Sequence, residues 1–278
     1  IRLCIILKDK MKAENLKIYC VTNKKVNFIS KKVYHLAWAG NQKAPSDYLN
    51  CESGENINHK EKYYSELAFH YWYWRNLLKN ENPDNWIGFC QKRRFWITKE
   101  KQENINQQNI NEYLITEPLK DWSKYDSIIC KPIKVSGAKK MKIVKRGWKN
   151  LIKDPLILFS KKKQNILLHF DMHHGYGNLQ KAINELDIEN QNDFKDYVSK
   201  NNTFNPHIMF IAKPDIVNKW FEALFPWLER CEKKFRFGDL VNYDTGRMFA
   251  YLAERYLSYW FKKNTNYKEE NWVQLDNF

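Results

Sequence analysis

Glycine is scarce, with 9 in 278 residues. A glycine-rich phosphate loop has little raw material here, and neither G-x-G-x-x-G after a strand pattern nor G-x-x-x-x-G-K-[ST] occurs. G-x-S-x-G and H-E-x-x-H are absent too, which removes the nucleophile elbow and the zinc-helix signature. There is no D-x-D pair, a common grip for a metal-bound diphosphate. Cys4, Cys20, Cys51, Cys90, Cys130 and Cys231 never stand at C-x-x-C spacing. They read as small hydrophobes in a reducing compartment, not as a zinc site or disulfide framework. No apolar run is long enough to span a bilayer. The opening IRLCIIL is too short for a signal-peptide core and has no cleavage site. A cytoplasmic protein is the expectation.

What the chain has in quantity is rings and positive charge. It carries 11 Trp, 16 Tyr and 16 Phe, and its net charge is +15. Large rings bury much area and dominate core energetics, so most of the chain is folded. The charge fits three partners: nucleic acid, an anionic membrane surface, or a phosphorylated small substrate. Lysine in a chain also rich in Asn and Ile fits an AT-rich coding bias equally well.

Residues 1–15 do not fit the pattern that follows and read as an N-terminal extension, with Met11 an alternative start. Strands are expected at Leu16–Thr22, Val33–Ala39, Trp86–Cys90, Ser127–Ile133 and His207–Lys213. Tyr63–Leu78 predicts a buried helix, with Leu67, Tyr71, Trp74 and Leu78 on its stripe. Further helices are expected at Leu179–Leu186, Asn192–Ser199, Asp215–Phe235 with a bend at Pro226, and Tyr243–Phe261. Residues 134–165 are Lys-rich and read as a mobile or membrane-facing insertion. Residues 263–278 read as a polar tail. Strands alternating with helices define an α/β domain with a mostly parallel central sheet flanked by helices and a helical C-terminal part. In such sheets ligands sit beyond the carboxyl ends of the strands.

Four constellations can carry chemistry. Arg93 and Arg94 follow the Trp86–Cys90 strand, and alternation sends one toward a ligand crevice and the other elsewhere. Arginine matches a diphosphate through a bidentate fork, though the same pair also fits a surface ion-pair cluster. Asp171, His173 and His174 form D-x-H-H before Gly175 and Gly177. That cluster could hold a divalent metal, supply a general base, or simply make a polar turn. Glu66 and His70 are one helical turn apart, and an acid near a helix start is also favoured by the dipole. Asp244 and Arg247 open the last helix, with Glu254 and Arg255 beyond as a structural pair.

GENINHKEKYYSELAFHYWYWRN followed by WIGFCQKRRFW is similar to the signature of the domain-of-unknown-function family 4422, bacterial glycosyltransferases of capsule and lipopolysaccharide clusters. That pattern runs G-[DE]-N-I-S, Y-x-E-L-T-x-x-Y-W-x-W-K-N and Y-I-G-L-x-H-Y-R-R-Y-F. Gly54, Glu55, Asn56, Ile57, Tyr64, Glu66, Leu67, Tyr71, Trp72, Trp74, Asn76, Ile87, Gly88, Arg93, Arg94 and Phe95 match it. KIYCVTNKK, HHGYGNLQKAINEL, IMFIAKPD and YDTGRMFAYLAERYLSYWF extend the resemblance over about residues 16–262. Gln91-Lys92 stands where the family carries His-Tyr, and Asn23 where it carries His.

The resemblance implies a single Rossmann-like type A glycosyltransferase domain over residues 16–262. Such an enzyme moves a sugar, galactofuranose in some relatives, from a UDP-sugar donor to a hydroxyl of a glycan or lipid-linked glycan. It implies donor contacts from Thr22, Asn23, Asn56, Tyr64, Glu66, Arg93 and Arg94, and acceptor contact from Arg247. The base is then sought among Asp171, His173, His174 and Asp244. No metal ligand is assigned, and manganese or magnesium is left open. A basic surface would hold such an enzyme peripherally on the inner face of an anionic inner membrane. Two rival readings are a transferase of another group onto capsule sugars and a basic nucleic-acid-binding protein. The second leaves the buried aromatic helix unexplained, so no nucleic-acid partner is expected.

Overall fold

The computed structural model describes residues 15–98 and 104–276. Most of the expected extension therefore lies outside the described residues. The chain divides into two compact units. The first comprises Ile1–Lys131, His207–Glu222 and Phe261–Phe278, and the second Pro132–Pro206 and Ala223–Trp260.

Among the described residues, nine strands of the first unit form one sheet. The main path runs Tyr267–Glu270, Ser127–Cys130, Phe210–Ala212, Trp86–Gln91, Leu16–Thr22, Tyr34–Trp38 and Leu49–Asn50. Only Phe210–Ala212 runs against the others on this path. Arg94–Trp96 turns back beside Trp86–Gln91, and Trp272–Gln274 pairs with Arg94–Trp96. This is the mostly parallel α/β sheet that the alternation predicts. The expected polar tail is a correction. Two of its segments are strands, and Val273 and Leu275 are buried in the core.

The central strands are apolar on both faces because both faces are covered. Leu16, Ile18 and Cys20 join Trp86, Cys90, Phe95 and Trp122 in the core on one side. On the other, Tyr19 and Phe89 meet the aromatic helix, with ring centroids 4.7 Å apart for Tyr19 and Tyr73 and 5.4 Å for Phe89 and Tyr73. Gly88 lies between neighbouring strands. A Cβ there would stand 2.9 Å from Ile211 Cγ1 and 3.0 Å from Ile18 Cγ1.

The aromatic helix is not continuous from Tyr63 to Leu78. It breaks at Ser65, whose φ is 53°, into Glu61–Tyr64 and Leu67–Asn76. Its buried face is Leu67, Ala68, Phe69, His70, Trp72 and Tyr73, while Tyr71 and Trp74 are only half-buried. A helix apolar almost all round has no clear phase to read.

The second unit is mainly helical, with Lys140–Arg146, Trp148–Lys153, Ile166–His174, Asn178–Ile183 and Ile188–Lys200. Pro214–Glu232, with Pro226 inside it, and Met248–Asn264 contribute to both units. Trp227 packs on Tyr256 with centroids 4.7 Å apart and donates its indole N–H to the Ala182 carbonyl at 2.8 Å. Residues 134–165 are not a loose insertion. They form two helices and two single turns around Ile143, Ile157, Leu168 and Met172. The D-x-H-H cluster is likewise not a turn. It is the last turn of Ile166–His174, begun by Asn165, whose side chain accepts from Leu168 N–H at 2.9 Å.

Candidate functional site

In the first unit, parallel pairing brings the carboxyl ends of Leu16–Thr22, Tyr34–Trp38 and Trp86–Gln91 to one edge. Ala39 N–H donates to the Thr22 carbonyl at 3.0 Å. Thr22 is buried, and its hydroxyl folds back on the Lys24 backbone at 2.6 and 3.0 Å. Asn23 accepts a hydrogen bond from the Lys92 ammonium. A Cβ on Gly40 would stand 3.0 Å from that of Asn23, so these strand ends approach closely.

Lys92 and Arg93 form the turn of a hairpin in which Gln91 pairs with Arg94. The two arginines part there. Arg93 donates to the Leu275 and Asp276 carbonyls at 3.3 and 3.2 Å. Arg94 donates to Gln274 Oε1 at 3.3 Å and to Gln91 Oε1 at 2.5 Å. The Gln91 amide in turn donates to the Glu66 carboxylate and, at 2.8 Å, to the His207 carbonyl. Gln91 thus links Arg94, Glu66 and His207. Sequence reasoning missed His207. It has φ of 77°, the next residue Ile208 has φ of 53°, and its ring lies 4.5 Å from that of Trp272. Two consecutive left-handed non-glycine residues mark stored strain, and no residue-type signal announces them.

Other expected donor residues are committed locally. A Cβ on Gly54, whose φ is 66°, would overlap Asn76 Oδ1 at 2.2 Å. Asn76 Nδ2 donates to the Glu55 and Trp72 carbonyls at 2.8 and 2.7 Å. Tyr71 hydroxyl and Arg75 both reach Glu55 at 2.8 Å. Asn56 donates to the Glu52 and Gly54 carbonyls at 3.1 and 2.9 Å. The G-E-N signature is therefore a clamp onto the aromatic helix. Tyr64 is buried.

In the second unit, Asp171 is buried and accepts from Asn150 Nδ2 at 2.7 Å and Gly177 N–H at 3.0 Å. Burial raises its pKa against those two bonds. His174 lies stacked on Tyr251 at 3.8 Å, with Nδ1 3.1 Å from the Asp244 carbonyl. Burial, then Arg255, lowers its pKa to about 3. The Asp244 carboxylate is 3.5 Å from Arg146, and Arg247 is exposed. His173 points elsewhere. With His169, 4.6 Å away, it lines a cavity of about 250 Å³ bordered by Lys134, Lys142 and Gln164. Burial first, then Lys142, Arg146 and Arg255, lowers the His173 pKa to about 4. Arg255 is buried against Glu254, lies 3.9 Å from the Phe204 ring centroid and reaches His169 Nδ1 at 3.3 Å. Sequence reasoning missed His169 as a cavity wall, although it stands at i−4 from His173 on a helix. Among the described residues, no group of three or more His, Cys, Asp or Glu stands close enough to hold a metal ion.

The sheet and its flanking helices make the first unit an α/β fold with a mostly parallel central sheet. A solved structure of the bifunctional glycosyltransferase WbbM in its apo form is similar to this chain with a TM-score of 0.69 and 18% identity. The similarity covers 95% of this chain and 46% of that one, so the chain spans about half the length of the structure it matches. No curated protein matches the chain. The family model described as Domain of unknown function (DUF4422) matches residues 17–265, and the chain belongs to that family.

Proposed function

We propose that this chain is a glycosyltransferase that takes a sugar from a nucleoside diphosphate donor, a UDP-sugar, and places it on a hydroxyl of a glycan or lipid-linked glycan in capsule or lipopolysaccharide synthesis. The observation that carries the reading is the Arg94–Gln91–Glu66 group at the carboxyl edge of the parallel strands, where this fold class binds ligands. Family membership and the fold of WbbM support it.

A nucleoside diphosphate leaving group gains negative charge as the glycosidic bond breaks, and fixed cations lower that barrier. In this proposal Arg94 faces the diphosphate, oriented by Gln91 and Gln274, and Lys92 adds a second charge beside Asn23. Gln91 stands where the family pattern has His, and its amide donates to Glu66 and the His207 carbonyl while accepting from Arg94. Glu66 keeps Gln91 and Arg94 aligned. Arg93 serves the fold of the hairpin. Within the second unit, taken by itself, His173 is the proposed proton-accepting group. Its neutral imidazole has an open cavity before it, whereas Asp171 and His174 are spent on local bonds. Arg247 is the proposed acceptor contact.

The test is release of UDP over a panel of UDP-sugars, with and without EDTA, using wild type, Arg94→Ala and His173→Ala. The reading expects turnover with at least one donor and its loss in Arg94→Ala. Full activity in both variants would remove the site assignment.

A further inference from the structure

Among the described residues, nine large hydrophobic side chains are exposed, and six of them fall between residues 141 and 159. Chance scatter over a surface does not produce that concentration, and contiguous apolar exposure marks an interaction face. Met141 is 78% exposed, Ile152 72% and Phe159 76%. Met141 and Val144 are three apart on Lys140–Arg146 and share its outer side. Trp148 and Ile152 are four apart on Trp148–Lys153 and do the same. The inward positions Ile143, Ile157, Leu168 and Met172 already form a core. The outward set is therefore surplus to folding this segment. The Lys140 ammonium stands 5.0 Å from the Phe159 ring centroid, so the two ends of the run are neighbours.

The same stretch is densely cationic. Residues 139–163 hold ten Lys and Arg against a single acid, Asp154. Asp154 pairs with Lys163, and Arg146 lies near Asp244. Protein–protein interfaces are depleted in lysine, and surfaces that bind single-stranded nucleic acid stack bases on aromatic rings, whereas Met141, Val144, Ile152 and Leu156 are not aromatic. Apolar side chains set among lysines are the composition of a surface that enters the headgroup region of an anionic bilayer. The lysine stems can lie along the apolar groups while their ammonium heads reach lipid phosphates.

We infer that Met141, Val144, Trp148, Ile152, Leu156 and Phe159, with the lysines between them, dock the protein onto an anionic phospholipid surface. No helix among the described residues is long and apolar enough to cross a membrane. The inference does not depend on sugar transfer.

The test is co-sedimentation of the full chain with vesicles of phosphatidylcholine containing phosphatidylglycerol, against phosphatidylcholine alone, at low and high salt. Binding is expected only with the anionic lipid and is weakened by salt. Ile152→Ser combined with Phe159→Ser is expected to lower partitioning by about tenfold or more. Ile188→Ser, an exposed hydrophobic elsewhere in this unit, is expected to leave it unchanged. Thermal melting confirms that each variant folds. Should the double variant not fold, Lys140→Glu with Lys149→Glu, whose ammonium groups stand 5.0 Å from the Phe159 ring and 5.6 Å from the Trp148 ring, tests the same face through charge and is expected to abolish binding. Absence of binding to anionic vesicles overturns the inference, as does unchanged partitioning in the folded variants. A dimer in solution that the double variant converts to monomer, without lipid binding, assigns the face to a second copy of the chain instead.

Discussion

The helix that presents Glu66 to the candidate site is anchored one turn later by His70. That ring is buried against Phe89 at 4.3 Å, with Phe210 and Phe221 beside it. Its Nδ1 has no hydrogen-bond partner among the described residues. Burial lowers its pKa to about 3. A base whose folded pKa lies below its unfolded value of about 6.5 destabilises the fold as pH falls through 6.5, because the unfolded chain then takes up the proton more readily. Above that pH both states are neutral and nothing changes. At pH 5 the unfolded state gains about 2 kcal/mol from this one group. His70→Leu removes the titration and keeps similar volume. The variant should match wild type within about 1 kcal/mol at pH 7.5, since an underused polar atom is lost and a close-packed site slightly reshaped. At pH 5 it should exceed wild type by about a further 2 kcal/mol. Urea unfolding at the two pH values measures both numbers. His169, His173 and His174 also have lowered pKa values, but they remain in both proteins and cancel in the difference. An identical loss of stability between pH 7.5 and pH 5 in the two proteins would refute the reasoning.

Three other outcomes are expected. Gly88→Ala should cost about 1–3 kcal/mol in urea unfolding, because its Cβ would press on Ile211 and Ile18 side chains from adjacent strands. Asp171→Ala should lower stability by about 1–3 kcal/mol through the unpaired Gly177 N–H and Asn150 amide, while the transfer rate per folded molecule stays near wild type. A collapsed rate in a folded Asp171 variant would make that carboxylate the base. An anion bound among Lys134, Lys142 and His173 should raise the His173 pKa from its low value, which NMR titration of the imidazole with and without added phosphate would detect.

The legible part of the fold was what depends on local pattern. Leu16–Thr22 was bounded to the residue, because a parallel strand covered on both faces reads as a nearly continuous apolar run, broken here only by Lys17, that ends at a turn. The α/β order and the carboxyl-edge position of Gln91–Arg94 followed from the same patterns. Three things escaped. Ser65 breaks the aromatic helix through a backbone angle that no propensity encodes. Trp272–Gln274 joins the sheet by pairing with Arg94–Trp96, a contact nearly 180 residues distant in sequence, and local polarity hid it. The Lys-rich segment read as a mobile or membrane-facing insertion, and its helices were missed because its charge outweighs the few inward residues, Ile143 and Ile157 among them, that fold it. At the site, alternation predicted that Arg93 and Arg94 would part, but not which of them joins the hub. The D-x-H-H cluster was legible as unusual, but its members have different tasks. Helix spacings of two and then one residue turn Asp171 toward Asn150, His173 into a cavity and His174 onto Tyr251.

The central claim is that the Arg94 group holds a nucleoside diphosphate. Calorimetric titration of UDP into wild type and Arg94→Ala tests it without knowledge of donor sugar or acceptor. The account predicts that UDP binds wild type and that Arg94→Ala weakens binding about 10- to 100-fold, the worth of a charge-assisted hydrogen bond. Absence of UDP binding to the folded wild-type protein, or equal affinity in the two proteins, would contradict it.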